Sequence, residues 1–253
     1  VNGAGTGDPF PSQYVSWTFK KEPGFFDIVT YTGNGTAGRT ISHNLGTTVG
    51  SIIIKRMDTT SNWVVYHRGN TAAPETDYLT LNTTDATSDL ASIWFDTAPT
   101  DTEFTLGDQI WVNADGGTYV AYLFAHDIAD DSFIKCDSYT GTGATGNAVN
   151  LGWEPQWVII KESSGTGQWR IFDNQRGVIT DGFDNFLIAE SSLYELNNSE
   201  DSIDFTSTGF TLKSSNTNMN TSSATYVYIA IRAASDPDIT WPAAVNWTGG
   251  SAP

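Results

Sequence analysis

The residues able to perform acid–base, nucleophilic or metal chemistry are few in kind. Among 253 residues there are three histidines, His43, His67 and His126, and one cysteine, Cys136. The histidines match no HxH, HExxH or i,i+4 zinc spacing. A single cysteine excludes an intrachain disulfide. Carboxylates are abundant, with 29 Asp and Glu. Asp127, Asp130 and Asp131 could offer oxygens to calcium, as could Asp181 and Asp184. Neither group follows the EF-hand pattern, and Asp-rich stretches are ordinarily solvated. Glycoside cleavage needs two carboxyls about 5–10 Å apart in a cleft. Glu103, Glu154, Glu162 and Glu190 qualify by type alone, because no motif singles them out. There is no GxSxG nucleophile elbow. The glycine-rich stretches 33–38 and 141–146 lack the Gly-Lys-Ser/Thr ending of a phosphate loop and read as turns needing positive φ. The five Asn-x-Ser/Thr sequons follow from an Asn-, Ser- and Thr-rich composition. These residues give no catalytic centre, no metal site and no cofactor.

The elements that would position any site are organised by an internal repeat. Tyr31-Thr-Gly-Asn-Gly-Thr-Ala-Gly returns as Tyr139-Thr-Gly-Thr-Gly-Ala-Thr-Gly, and Leu45-Gly46 as Leu151-Gly152. Ile52-Ile53-Ile54-Lys55 returns as Val158-Ile159-Ile160-Lys161, and Trp63 as Trp169. Phe104-Thr105-Leu106 matches Phe210-Thr211-Leu212, and Thr118-Tyr119-Val120 matches Thr225-Tyr226-Val227. The period is about 106 residues. Tyr14-Val15-Ser16-Trp17-Thr18-Phe19 resembles the two closing strands that begin at Tyr119 and Tyr226. The expected layout is therefore a closing strand of a preceding repeat plus linker (1–23), repeat 1 (24–127), repeat 2 (128–235) and a tail leading to a further region (236–253).

Short β-branched and aromatic runs broken by Gly, Asn, Asp and Thr predict strands throughout. In repeat 1 they fall at 26–31, 51–57, 62–67, 77–81, 93–96, 103–106, 109–112 and 118–125. In repeat 2 they fall at 133–139, 156–162, 168–172, 185–189, 202–205, 210–212 and 225–232. No segment keeps a 3.6-residue period over several turns. The fold class is all-β: two tandem β-sandwich, jelly-roll-like units. Aromatics at 13% argue against disorder. The net charge of −17 excludes nucleic acid and anionic membrane as default partners. No apolar run is long enough to span a membrane as a helix.

Trp63, Trp169, Tyr119 and Tyr226 are the expected core anchors, the two tryptophans at matching places. The loops 70–75, 178–185 and 191–201 differ between the repeats, so recognition is expected there. Tyr14, Val15, Trp17 and Phe19 form the expected assembly element. An isolated strand needs ladder partners, which a neighbouring chain or another unit supplies.

The run from Tyr14 to Gly46, with the second-unit run from Ser138 to Lys161, resembles a repeated domain of unknown function. That domain occurs in tail-fibre and virion structural proteins of marine tailed phages, including cyanophages. The resemblance covers the chain to about Arg232 and carries over no catalytic residues. It implies a non-enzymatic appendage on the virion surface, extracellular, as a homo-oligomer or in contact with other virion proteins. Attachment to host-surface glycan is the recognition role it leaves open. The alternatives are a glycan-degrading module of such an appendage and a bacterial extracellular adhesin or filament subunit.

Overall fold

A computed structural model describes residues 15–127, 132–178, 180–197 and 202–233. Lys21–Ala233 form one compact unit. Strand takes 42% of the described residues and helix 7%, so the chain is an all-β protein, as its composition predicts.

Within Lys21–Ala233 the first eight strands are β1 (Phe26–Thr32), β2 (Arg39–Ser42), β3 (Val49–Arg56), β4 (Trp63–His67), β5 (Asp77–Thr80), β6 (Ser88–Asp89), β7 (Glu103–Leu106) and β8 (Thr118–Ala125). Six make one antiparallel sheet in the order β1-β8-β3-β4-β5-β6, and β2 pairs with β7 beside it. The chain continues through β9 (Ile134–Thr140), β10 (Asn147–Asn150), β11 (Pro155–Glu162), β12 (Arg170–Asp173), β13 (Asn185–Ile188), β14 (Leu196–Asn197), β15 (Ile203–Thr206), β16 (Gly209–Leu212) and β17 (Thr225–Arg232). Its six-stranded sheet runs β9-β17-β11-β12-β13-β14, and its small sheet runs β10-β16-β15. The two large sheets thus share one strand order. The pairs β2–β7 and β10–β16 also correspond, and β15 is the addition.

Period-two alternation decides which side chains meet the core. In the second half Val158, Ile160, Tyr226 and Tyr228 of the large sheet pack against Val149, Ile203, Phe210 and Leu212 of the small one. The corresponding Ile52, Ile54, Tyr119, Ile41, Phe104 and Leu106 are buried in the first half. β8, apolar at nearly every position, is buried on both faces over most of its length, as that sequence predicts, and so is β17.

Three α-helical turns interrupt the described strands, beside a 3-10 turn at Pro74–Thr76: α1 (Ala91–Trp94), α2 (Ile110–Asn113) and α3 (Thr217–Asn220). Two of them replace strands expected at 93–96 and 109–112. The reason is geometric. Ile93 and Trp94 are both buried, as are Val112 and Asn113. Adjacent residues of a strand face opposite ways, whereas a helical turn can aim both inward. Phe95 (φ 54°) and Asp96 (φ 45°) then adopt left-handed backbone and end α1.

The ends of α2 and α3 are built alike. Asn113 Nδ2 donates to the carbonyls of Thr36 and Gly107, and its Oδ1 accepts from Asn34 N. Asn220 Nδ2 donates to the carbonyls of Ala144 and Ser214, and its Oδ1 accepts from Thr142 N. Tyr31 stacks on Tyr119 at 5.1 Å, and Tyr139 stacks on Tyr226 at 5.1 Å. The Tyr119 hydroxyl donates to Ile110 O and the Tyr226 hydroxyl to Thr217 O, each at 2.7 Å. Gly33 and Gly141 stand where any Cβ would run into the Ala114 and Thr221 carbonyls respectively.

Residues 15–20 carry no strand within this single chain. Strands exist only within ladders, and the closing place in each large sheet is filled by β8 and β17. Val15 is exposed, and Trp17 and Phe19 are half-buried. Tyr14 and the tail 236–253 lie outside the described residues, as do Asp130 and Asp131 of the inter-repeat stretch.

Candidate functional site

The most chemically loaded region is the seam where β3, β4 and the turn after β5 meet β9, β11, β17 and the start of β12. Backbone is brought close by glycine. A Cβ on Gly50 would lie 2.6 Å from Cys136 Cβ and 2.7 Å from Ala125 O, and one on Gly69 would lie 2.9 Å from the Asp137 backbone. At these two positions any side chain would hold the sheets apart.

Polar groups then stitch the two halves. His67 Nε2 donates to Tyr228 O at 2.9 Å, while its Nδ1 accepts from Gly69 N. The ring is therefore a neutral Nε2–H tautomer. Burial pushes its pKa down to about 4, and Arg68 and His126 oppose its protonation further. Cys136 Sγ donates to Ala125 O at 3.3 Å, and burial pushes the thiol pKa up. Trp169 Nε1 donates to Thr80 O at 3.0 Å. Thr87 N donates to Ser163 O and Gly167 N to Thr84 O.

Lys161 is fully buried at this seam. Its ammonium donates to the carbonyls of Thr84, Glu162 and Gly165. Burial brings its pKa down to about 8, against the pull of Glu162, Glu190 and Asp85. Burial also raises the carboxyls of Glu162 and Glu190, and Lys161 holds both back. Glu190 accepts from Trp169 N at 3.1 Å. A polar cleft of about 340 Å³ opens on the same seam, lined by Asn70, Thr71, Ala86 and Thr87 from the first half and Ser163, Ser164 and Thr225 from the second. Asn70 Oδ1 accepts from the Thr87 hydroxyl, and its buried Nδ2 has no partner.

The structure sorts the residues singled out by sequence. Tyr119, Tyr226 and Trp169 are buried. Trp63 is half-buried, which corrects its reading as a core anchor: its ring lies under the Lys55 ammonium at 5.6 Å and stacks on Tyr122 at 6.4 Å. Trp169 is covered because the turn after β5 lies on it. Asp184 accepts from Ser202 N and Ile203 N, and Asp181 pairs with Lys213. Both carboxylates thus tie loops together. Among the described residues no three His, Cys, Asp or Glu side chains gather as a metal set. Glu103 lies in β7 and Glu154 is exposed, apart from the seam pair Glu162 and Glu190. Sequence reasoning missed the seam itself. The Lys55–Lys161 match was visible, but nothing local distinguishes the buried lysine from its half-exposed counterpart. The Asn113–Asn220 match was also available, as a polar residue preceding each closing strand.

This geometry defines an all-β protein whose two six-stranded antiparallel sheets meet across a buried, hydrogen-bonded seam. The chain belongs to the family of the domain of unknown function DUF7483, whose profile matches residues 11–235. No curated protein and no solved structure matches it.

Proposed function

We propose that this protein is a non-enzymatic structural module of a virion appendage or surface fibre, built from two tandem β-sandwich units that divide near Asp127. The observation that carries this reading is the pairing of one strand order, one tyrosine stack and one buried-asparagine turn in both halves. Repeated units that bury surface against each other are the means by which extended proteins are built. The composition supports an exterior position. A net charge of −17 keeps particles apart and is tolerated where salt screens it. The partners are other copies of the chain or other virion proteins, with host-surface glycan as the recognition target of the loops 178–185 and 191–201.

The competing reading, a glycan-degrading module, draws on Glu162 and Glu190, whose carboxyls burial raises. We assign these two carboxyls to the seam, because Glu162 is buried against Gly165 and Gly167 and Glu190 holds the Trp169 amide. Incubation with bacterial surface polysaccharides separates the two. The structural reading expects no new reducing ends. Turnover that disappears in Glu162→Gln or Glu190→Gln would establish the enzyme. Immunogold labelling with an antibody to the chain should decorate the particle exterior, and labelling confined to the host cell would contradict the location.

A further inference from the structure

The polar cleft on the seam is bordered by a side chain whose hydrogen bonding is incomplete. Asn70 is 5% exposed. Its backbone amide donates to His67 O, and its Oδ1 accepts from the Thr87 hydroxyl at 2.6 Å. Its Nδ2 is buried and has no partner among the described residues. A buried donor without an acceptor carries the full penalty of its lost hydration. Native proteins leave few such groups, and a bound molecule is one way of satisfying them. Asn70 lines the cleft, so the amide stands at the wall that an entering molecule meets.

That wall narrows the chemistry of what enters. It carries five Ser and Thr hydroxyls, the Asn70 amide and Ala86. Among the described residues no charged side chain lines it. An anion therefore finds no cation to pair with, in a chain whose net charge is already −17. Lys161 of the same seam is committed to three backbone carbonyls. A metal ion finds no carboxylate, and the unpartnered Asn70 atom is a donor, which a cation avoids. An apolar ligand needs hydrophobic walls, which Ala86 alone does not supply. An uncharged ligand covered with hydroxyls fits each of these conditions. A hydroxyl accepts from Asn70 Nδ2 and donates to a Ser or Thr oxygen. The cleft, at about 340 Å³, stands at the small end of ligand sites, roughly 300–1,000 Å³. That size suits one sugar ring better than a chain of them.

We infer that this cleft binds a single neutral saccharide unit, held by Asn70 from the first half and by Ser164 and Thr225 from the second. Ser164 Oγ accepts from Thr225 N and keeps its own proton for the ligand. Residues 71–73 on the Asn70 side of the cleft are exposed, and their outward shift brings a sugar hydroxyl to Nδ2. The chain has this arrangement once. At the repeat offset of about 106 residues, Asn70, Ser163 and Ser164 match Arg176, Met57 and Asp58. Arg176 and Asp58 are held in ion pairs with Asp173 and Arg56. No residue of the cleft belongs to the loops 178–185 or 191–201, so the inference stands apart from glycan recognition there.

Heteronuclear NMR of the full chain reads the Asn70 side-chain amide directly. Glucose, galactose, mannose and N-acetylglucosamine are titrated singly into the millimolar range. At least one is expected to shift that amide and the backbone amides of Thr87, Ser164 and Thr225 along a saturating curve. Ala86→Trp fills the cleft without removing a side-chain hydrogen bond and should abolish the shifts. Thr225→Val keeps the shape, removes one hydroxyl and should weaken binding about 2- to 10-fold. No saturating shift at Asn70 with any of these sugars overturns the inference, as does unchanged affinity in both variants. Shifts confined to the loops 178–185 and 191–201 also overturn it, while leaving the recognition role of those loops standing. Equal shifts with sodium acetate would mark an anion site and overturn the assignment to a neutral sugar.

Discussion

Trp63 at the start of β4 and Trp169 just before β12 occupy matching places, yet one is half-exposed and the other nearly fully buried. The same holds for Lys55 against Lys161, and for Ile28 against Cys136. The internal framework, by contrast, barely differs: the Tyr31–Tyr119 and Tyr139–Tyr226 stacks have interplanar angles of 12° and 11°. What separates the halves is therefore what lies against the outer face of each large sheet. Local sequence sets the framework, and the neighbour sets the environment of the face.

The comparison can be broken most sharply at the tryptophans. Trp169→Ala removes a buried ring and its hydrogen bond to Thr80 and should cost about 3–5 kcal/mol. Trp63→Ala at the open face should cost about 1 kcal/mol. Urea unfolding of both variants checks this, and equal losses would mean that the seam does not cover Trp169. The framework should respond the other way. Asn113→Ala and Asn220→Ala each strand buried backbone groups, at about 1–3 kcal/mol for every group left unpaired. The two variants should lose the same midpoint, and a large difference would end the equivalence of α2 and α3.

Gly50 sharpens the contrast further. Its second-half counterpart is Gln156, a half-buried residue that already carries a side chain. Gly50→Val should cost about 1–3 kcal/mol through overpacking against Cys136, whereas Gln156→Gly should change stability by little more than its strand propensity. Calorimetry of both variants reads the difference directly.

The smallest effect is a pH dependence. His67 is held neutral in the folded state to about pH 4, against roughly 6.5 in the unfolded chain. Between these values the unfolded state binds more protons, so stability falls as pH drops through the window and is fully present above it. His67→Gln, which keeps a donor for Tyr228 O, should flatten the part of the wild-type stability profile between pH 6.5 and 4. An unchanged slope would show that His67 is not buried at the seam.

Much of the framework was legible in the sequence. The strands at 103–106, 118–125 and 225–232 fall where alternation and β-branched content put them, and the Tyr-Thr-Gly turns are anchored by glycines that cannot carry a Cβ. Two kinds of element were not legible. β2 and β10 each bury a single side chain, Ile41 and Val149, in an otherwise polar run, so no hydrophobic period marks them. α1 and α2 bury consecutive residues, which imitate a strand in composition and differ from it only in direction. The candidate site was less legible still. The burial of Lys161, Cys136 and Trp169 draws on residues 77–89 positions earlier in the chain, and no local pattern encodes such a neighbour.

Hydroxyl-radical footprinting of the dilute monomer, read at single-residue level, tests the seam most directly. Trp169 should be strongly protected, while Trp63, Leu193 and Tyr194 are oxidised rapidly. Oxidation of Trp169 as fast as that of Trp63 would contradict the seam, and with it the account of two corresponding units joined through different faces.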